Sequence, residues 1–446
     1  MHYYGTAAQN AQGHLTIGGI DVMDLVREYG TPLHVMDEQL IREKCRAYRE
    51  AFQQYYPDGV VAYASKAFLC TAMAALVEQE GLSLDVVSGG EIATAVKAGF
   101  PMERTFFHGN NKTPEEIRLA LASGVGRFVV DSLSELELLN RLAGEAGKTA
   151  RIALRITPGV SAHTHHYIST GQLDSKFGIP IAMGMAMDAT RRALSLPHVE
   201  LVGFHCHIGS QIFDLEGYRV AARIMVDFLA EVRKETGFTA AELNMGGGLG
   251  VRYTEADTPR TPAELVRTLA ETVRQACEAH GFPLPRLVVE PGRSIVAEAG
   301  TTLYTIGSIK EIPGVRTYIA VDGGMGDNIR PALYQAEYEC AVANRLSSPA
   351  EKVVTVAGRY CESGDILIVD AKVANDVAVG DVLAVFATGA YNYSMASHYN
   401  RYPKPAVVFV ADGHADLVVR RETFEEMASH DLLPERLQPR AVRQTP

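Results

Sequence analysis

The 446-residue chain has few cysteines and keeps them apart. Cys45, Cys70, Cys206, Cys277, Cys340 and Cys361 form no CxxC pair and no compact framework, which excludes a disulfide scaffold and fits a reducing cytoplasm. Basic runs are as scarce. None is longer than pairs such as Arg191-Arg192 and Arg420-Arg421, and 42 Lys+Arg against 53 Asp+Glu leave a net charge of −11, so the electrostatic footprint of a nucleic-acid binder is missing. Apolar runs fall short of the ~20 residues that a membrane span needs. The N-terminus carries no basic start followed by an apolar stretch, which speaks against export. The expectation is a cytoplasmic protein with neither nucleic-acid nor membrane partners. Low-complexity linkers and tandem repeats are also lacking.

What is present is the composition of a soluble globular protein, 47% hydrophobic and 21% charged. At ~150 residues per domain the length suggests about three domains, or two if one is a barrel. From about residue 58 to residue 292, short apolar runs alternate with longer segments of helical period. The runs are 60–64, 83–87, 105–108, 128–131, 152–156, 201–205, 242–245 and 287–290. Helix signals stand between them: Thr113-Pro114-Glu115-Glu116 opens a helix that Gly124 closes, and Thr261-Pro262-Ala263-Glu264 opens one that ends near Gly281. Eight strands alternating with helices predict an α/β fold, a closed (β/α)8 barrel of the TIM type rather than an open doubly wound sheet. After Glu290 the texture changes to β-branched runs (302–312, 317–321, 353–357, 366–369, 382–386 and 407–410) separated by Gly, Pro and Asp turns, the pattern of a second, mostly β domain. An early run, Leu33-His34-Val35, reads as a strand that completes it. The expected division is residues 36–292 for the barrel and residues 1–35 with 293–446 for the β domain.

A barrel places its chemistry at the C-terminal ends of its strands. There the sequence puts Ser65-Lys66, Asp85 to Ser88, His108-Gly109-Asn110, Arg155, His205-Cys206-His207, Gly246-Gly247-Gly248 and Glu290-Pro291-Gly292-Arg293. Lys66 follows an apolar strand, where desolvation is expected to lower its pKa and leave an amine suited to a Schiff base; a lysine snorkelling to the surface is the plain alternative. Gly246-Gly247-Gly248-Leu249-Gly250 can converge backbone N–H groups on an anion, with Ser210 as a further ligand, yet it matches neither a Walker loop nor GxGxxG and also reads as a flexible turn. Glu290 could hold a proton on a heterocyclic nitrogen and Arg293 could meet a phosphate or carboxylate, or the two could form an internal ion pair. His205-Cys206-His207 has the HxH form of a metal site, but no later histidine stands at a barrel strand end, so no metal is expected. His163-Thr164-His165-His166 reads as a solvated polar loop.

With these residues in place the chain resembles the fold-type III pyridoxal-phosphate decarboxylases. The resemblance rests on Tyr63-Ala64-Ser65-Lys66-Ala67, His108-Gly109-Asn110-Asn111-Lys112, Asp174-Ser175-Lys176-Phe177-Gly178, His205 to Gln211, Gly246-Gly247-Gly248, Glu290-Pro291-Gly292-Arg293, Arg330-Pro331-Ala332-Leu333-Tyr334, Cys361-Glu362-Ser363-Gly364-Asp365 and Gly389-Ala390-Tyr391, in family order. It implies pyridoxal 5′-phosphate as cofactor, bound covalently by Lys66, with His207 stacked on the ring and Glu290 at the ring nitrogen. Ser210, Gly248, the segment Glu290, Pro291, Gly292, Arg293, and Tyr391 would surround it. The resemblance also implies Arg293, Arg330, Tyr334, Glu362 and Tyr391 as substrate ligands, Cys361 as proton donor, and a homodimer whose sites are shared through the cysteine loop. The implied reaction is decarboxylation of meso-2,6-diaminopimelate to L-lysine and CO2, the last step of lysine biosynthesis. A sister activity on D-lysine, D-ornithine or another basic amino acid would share Lys66, Glu290 and Cys361. The role of the loop at residues 158–179 is left open, beyond its expected place at the border of the site.

Overall fold

The computed structural model describes residues 2–160 and 175–437. Its helices start and stop where backbone groups find local partners. Thr113 caps the helix Pro114–Ser123 in a reciprocal box with Glu116, and Gly124 closes it in the left-handed conformation; Thr261, Glu264 and Gly281 do the same for Pro262–His280.

All eight expected barrel strands form: Gly59–Ala64, Ser83–Val86, Thr105–Phe107, Arg127–Val130, Ala150–Thr157, Val199–His205, Glu242–Asn244 and Arg286–Val289. Each pairs in parallel with the next, and the eighth returns to the first through Leu287↔Gly59, so the sheet closes. A short ninth strand, Ile179–Pro180, adds beside the fifth. Ala62, Phe106, Val129 and Val288 fill the interior as a cluster separate from the main core. At the N-terminal end a buried pair seals the barrel: Arg127, first residue of the fourth strand, donates from Nε and Nη2 to the carboxylate of Glu242, first of the seventh, at 3.0 and 2.9 Å. The bidentate geometry offsets the desolvation of both charges. The open end of the barrel is therefore the other one.

The second domain is a mostly β unit. Its central strand, Gly300–Ile312, pairs antiparallel with Arg316–Val321, with Val382–Phe386 and with Leu33–Asp37, and the last of these pairs in parallel with Ala406–Ala411. The early strand thus completes the β domain as the sequence predicts. Three features were not anticipated: the strands Cys340–Val342 and His414–Val419, and a small sheet made of Ala8–Gln9, Leu15–Ile17 and Ile20–Asp21. The helix Glu38–Tyr55 leaves the β domain, capped by Asp37, and packs on the barrel against Pro262–His280.

Candidate active site

Lys66 sits in a single 3-10 turn, Ser65–Ala67, directly after the first barrel strand. Around it the strand ends enclose a cavity of about 480 Å³ lined by Asp85, His108, Arg155, His205, His207, Ser210, Gly247, Gly248, Glu290, Gly292 and Arg293. The β domain contributes Tyr391, whose backbone N–H donates to the Ala67 carbonyl at 2.8 Å beside the Ser394 hydroxyl, also at 2.8 Å. Phe177 lines the same cavity, so the described end of the loop at residues 158–179 borders the site. Its guanidinium neighbour Arg155 lies 4.4 Å over the Phe177 ring. Asp174 and the cluster His163-Thr164-His165-His166 lie outside the described residues.

Glu290 is buried and accepts three hydrogen bonds. His108 Nε2 (2.7 Å) and Asn244 Nδ2 (2.6 Å) donate to Oε1, and His205 Nε2 (3.0 Å) donates to Oε2. Burial alone would raise its pKa, but the two imidazoles reverse that and hold the carboxyl well below its usual range. A permanent anion results. Asp85, equally buried, goes the other way: desolvation raises its pKa, and its Oδ1 has no hydrogen-bond partner among the described residues. Desolvation followed by the charge of Lys66 drives His207 well below the usual histidine range, so this ring is neutral.

Lys66 corrects the expectation from sequence. Burial does act to lower its pKa, but Asp85, Tyr391 and Glu290 act together against it, and the net shift is upward. The missing element was the neighbouring strand, where Asp85 is the register partner of Ala64. The lysine is held as an ammonium facing carboxylates, not as a free amine.

The glycine run turns through two left-handed residues, Gly246 at φ 69 and Gly248 at φ 113. The run exchanges backbone hydrogen bonds with the loop carrying Ser210: Ile212 N–H donates to the Gly248 carbonyl and Gly250 N–H to the Ile212 carbonyl, each at 2.9 Å. Arg293 closes this corner: Nη2 donates to Ser210 Oγ at 3.0 Å, Nη1 to the Tyr253 hydroxyl at 2.7 Å, and the guanidinium lies 4.9 Å over the Tyr391 ring. Its buried Nε has no partner among the described residues, a spare donor beside glycine N–H groups and a serine hydroxyl. That chemistry suits a phosphate. Pro291 does not line the cavity; its carbonyl accepts from Ala64 N–H at 3.0 Å and ties the eighth strand to the first.

Four residues from the sequence reading stand apart. Arg330 is buried one aromatic ring away, 5.0 Å over Tyr253 and hydrogen-bonded to the Tyr338 hydroxyl. Tyr334 is 60% exposed, and Cys361 and Glu362 are exposed as well; none of the three lines the cavity of its own chain. Conversely, the roles of His108, His205, Asn244, Tyr253 and Tyr338 were not assigned from sequence. Among the described residues, the metal-type ligand atoms that lie within 4.8 Å of one another are those of His108, His205 and Glu290, joined by hydrogen bonds, and His207 is not among them.

An anionic carboxylate saturated on one side, a buried lysine and a phosphate-suited corner would be hard to explain in a metal hydrolase. At the mouth of a parallel barrel joined to a β domain, they suit an enzyme of the pyridoxal-phosphate class. The family profile described as pyridoxal-dependent decarboxylase, pyridoxal binding domain, matches residues 38–297. Diaminopimelate decarboxylase of Bacillus subtilis is 54% identical over 97% of this chain and 98% of its own. That of Halalkalibacterium halodurans is 52% identical over the same shares. A crystal structure of diaminopimelate decarboxylase from M. jannaschii in complex with L-lysine superposes with a TM-score of 0.90 at 38% identity, covering 97% of this chain and 99% of that one. The chain belongs to the pyridoxal-dependent decarboxylases, and within them to the diaminopimelate decarboxylase family.

Proposed function

We propose that the chain decarboxylates meso-2,6-diaminopimelate to L-lysine and CO2 with pyridoxal 5′-phosphate, the last step of lysine biosynthesis. The observation that carries this reading is the end-to-end likeness to a diaminopimelate decarboxylase, 54% identity over 97% of the chain, which spans the barrel and the β domain alike. The chemistry that pyridoxal phosphate supplies when bound is an electron sink for the pair left as the carboxylate departs.

The chain's own residues do the rest. Lys66 Nζ would hold the cofactor covalently, Glu290 would keep a proton on its ring nitrogen, and His207, neutral and buried, would pack against its face. Ser210, Gly248, Gly292, Arg293 and Tyr391 would surround it, chiefly at the phosphate, with Pro291 holding its segment in place from outside the cavity. Cys361 Sγ delivers a proton to the substrate α-carbon, a positioned thiol being able to act as a general acid. A diamino diacid also offers a carboxylate and an ammonium at its far end; Arg330 supplies the cation and Glu362 the anion, with Arg293, Tyr334 and Tyr391 completing the substrate contacts.

The exposed positions of Tyr334, Cys361 and Glu362 support a homodimer in which this surface of one protomer completes the cavity of the other. In that assembly residues 36–292 hold the cofactor, and residues 1–35 with 293–446 bring the substrate and proton-donor loops. The six free cysteines support a cytoplasmic setting.

The test is CO2 release by the purified chain with pyridoxal phosphate, using meso-diaminopimelate, D-lysine and D-ornithine side by side. Turnover of diaminopimelate alone is expected; preference for a diamino monoacid would move the enzyme to a sister activity.

A further inference from the structure

A carboxylate has about four acceptor sites, two on each oxygen. Among the described residues, Glu290 Oε1 is filled, by His108 Nε2 and Asn244 Nδ2, whereas Oε2 takes only His205 Nε2. One site remains, on the oxygen that His205 shares. The protonation state of His205 follows from its surroundings. It is buried, and its Nδ1 has no hydrogen-bond partner among the described residues, so a second ring proton would be stranded. The ring is therefore neutral, with its single proton on Nε2, in keeping with a pKa that burial pushes down to about 4. His108 packs edge-on against it, ring centroids 4.8 Å apart, and its Nε2 likewise faces a carboxylate that only accepts. His108, Asn244 and the neutral His205 thus give Glu290 three donors, and the one on Oε2 adds no cation that would compete for its charge.

We propose that His205, with His108 in support, is a positioning residue that acts through Glu290: it orients Oε2 and keeps it an anion, so that this one oxygen receives the N–H of a protonated heterocycle in the cavity. The inference rests on the reading that the ring nitrogen of pyridoxal phosphate faces Glu290. A cationic histidine in the same place would draw the carboxylate's charge to itself; a neutral one leaves it to the ligand.

The test compares two ligands of the full-length apoenzyme, pyridoxal phosphate and its 1-deaza analogue, which carries C–H in place of the ring nitrogen. Dissociation constants are measured for wild type, Glu290→Gln, His205→Leu and His205→Gln. Glu290→Gln should weaken pyridoxal phosphate while leaving the deaza analogue nearly unchanged. His205→Leu should show the same selective loss, roughly tenfold, the effect of losing one hydrogen bond to a charged group. His205→Gln, whose amide N–H can take the place of Nε2–H, should recover most of it. Equal weakening of both ligands by His205→Leu, or no recovery in His205→Gln, would reduce His205 to a packing residue and overturn the proposal. If Glu290→Gln fails to distinguish the two ligands, the facing of ring nitrogen and carboxylate is itself wrong, and the inference falls with it.

Discussion

The backbone N–H of Cys361 donates to Asn400 Oδ1 at 2.7 Å, across 39 residues of chain. Asn400 is in the left-handed region at φ 51, a conformation that asparagine tolerates better than most residues. The adjoining Tyr399 stacks on Tyr360 at 6.0 Å and 12°, so the segment Tyr399-Asn400 holds both Cys361's amide and the residue before it. Asn400→Ala removes the acceptor and disfavours the backbone, and turnover should fall roughly thirtyfold, in line with ~1 kcal/mol for each loss. Asn400→Asp keeps an acceptor and should retain most activity, while cofactor affinity stays at the wild-type value in both. Steady-state turnover beside cofactor titration checks this. Weaker cofactor binding in Asn400→Ala would contradict it.

Gly247 has no room for a side chain, because a Cβ there would stand 2.0 Å from the carbonyl oxygen of Glu290. Gly247→Ala should therefore displace the very segment that bears the carboxylate and destabilise the fold by roughly 1–3 kcal/mol. The folded fraction should bind pyridoxal phosphate more weakly than wild type. Denaturant unfolding together with cofactor titration would reveal both effects, and wild-type affinity in the variant would count against the tight fit.

Lys112 is buried and donates to the carbonyls of Gly109 and Val129, each at 2.8 Å, and to Glu135 at 2.6 Å. It fixes the turn that follows His108. Lys112→Met leaves Glu135 without its counter-charge, and a cost of about 3–5 kcal/mol is expected on unfolding. The double variant Lys112→Met/Glu135→Leu should regain part of that stability, as measured by urea denaturation.

Asp327 lies buried within the β domain, accepting from the Tyr304 hydroxyl and from Gly324 N–H at 2.9 Å. Desolvation, aided by Asp365 and Asp322, raises its pKa from 3.8 to about 7. A carboxyl whose folded-state pKa lies above its unfolded value contributes stability that is complete below pH 3.8 and disappears as pH rises through about 7. This contribution should decline between those limits. Asp327→Asn removes the titration, so its unfolding free energy should vary less over the same interval, whatever its absolute level. An unchanged pH slope would contradict the assignment.

Much of this architecture is written in local pattern. Thr113 with Glu116 and Thr261 with Glu264 mark their helices by spacing alone, and the eight parallel strands read as apolar runs because both of their faces are buried. Cys340–Val342 follows a polar stretch and is defined by its pairing with Val382–Phe386, while His414–Val419 is an edge strand with exposed positions; neither has a signal of its own. The same contrast holds in the cavity. Lys66 and Glu290 are legible as ionisable residues closing apolar strands. The histidines that govern Glu290 are 182 and 85 residues away, and only barrel closure brings them to it. The charge state of Lys66 is not legible from sequence for a like reason, since Asp85 reaches it through strand register and not through sequence proximity.

The measurement that bears most directly on the central claim is borohydride reduction of the holoenzyme followed by peptide mapping. The pyridoxyl mass should fall on Lys66 alone, and Lys66→Ala should carry no label and release no CO2 from meso-diaminopimelate. A label on any other lysine, or turnover that survives in Lys66→Ala, would contradict the placement of the chemistry in this cavity.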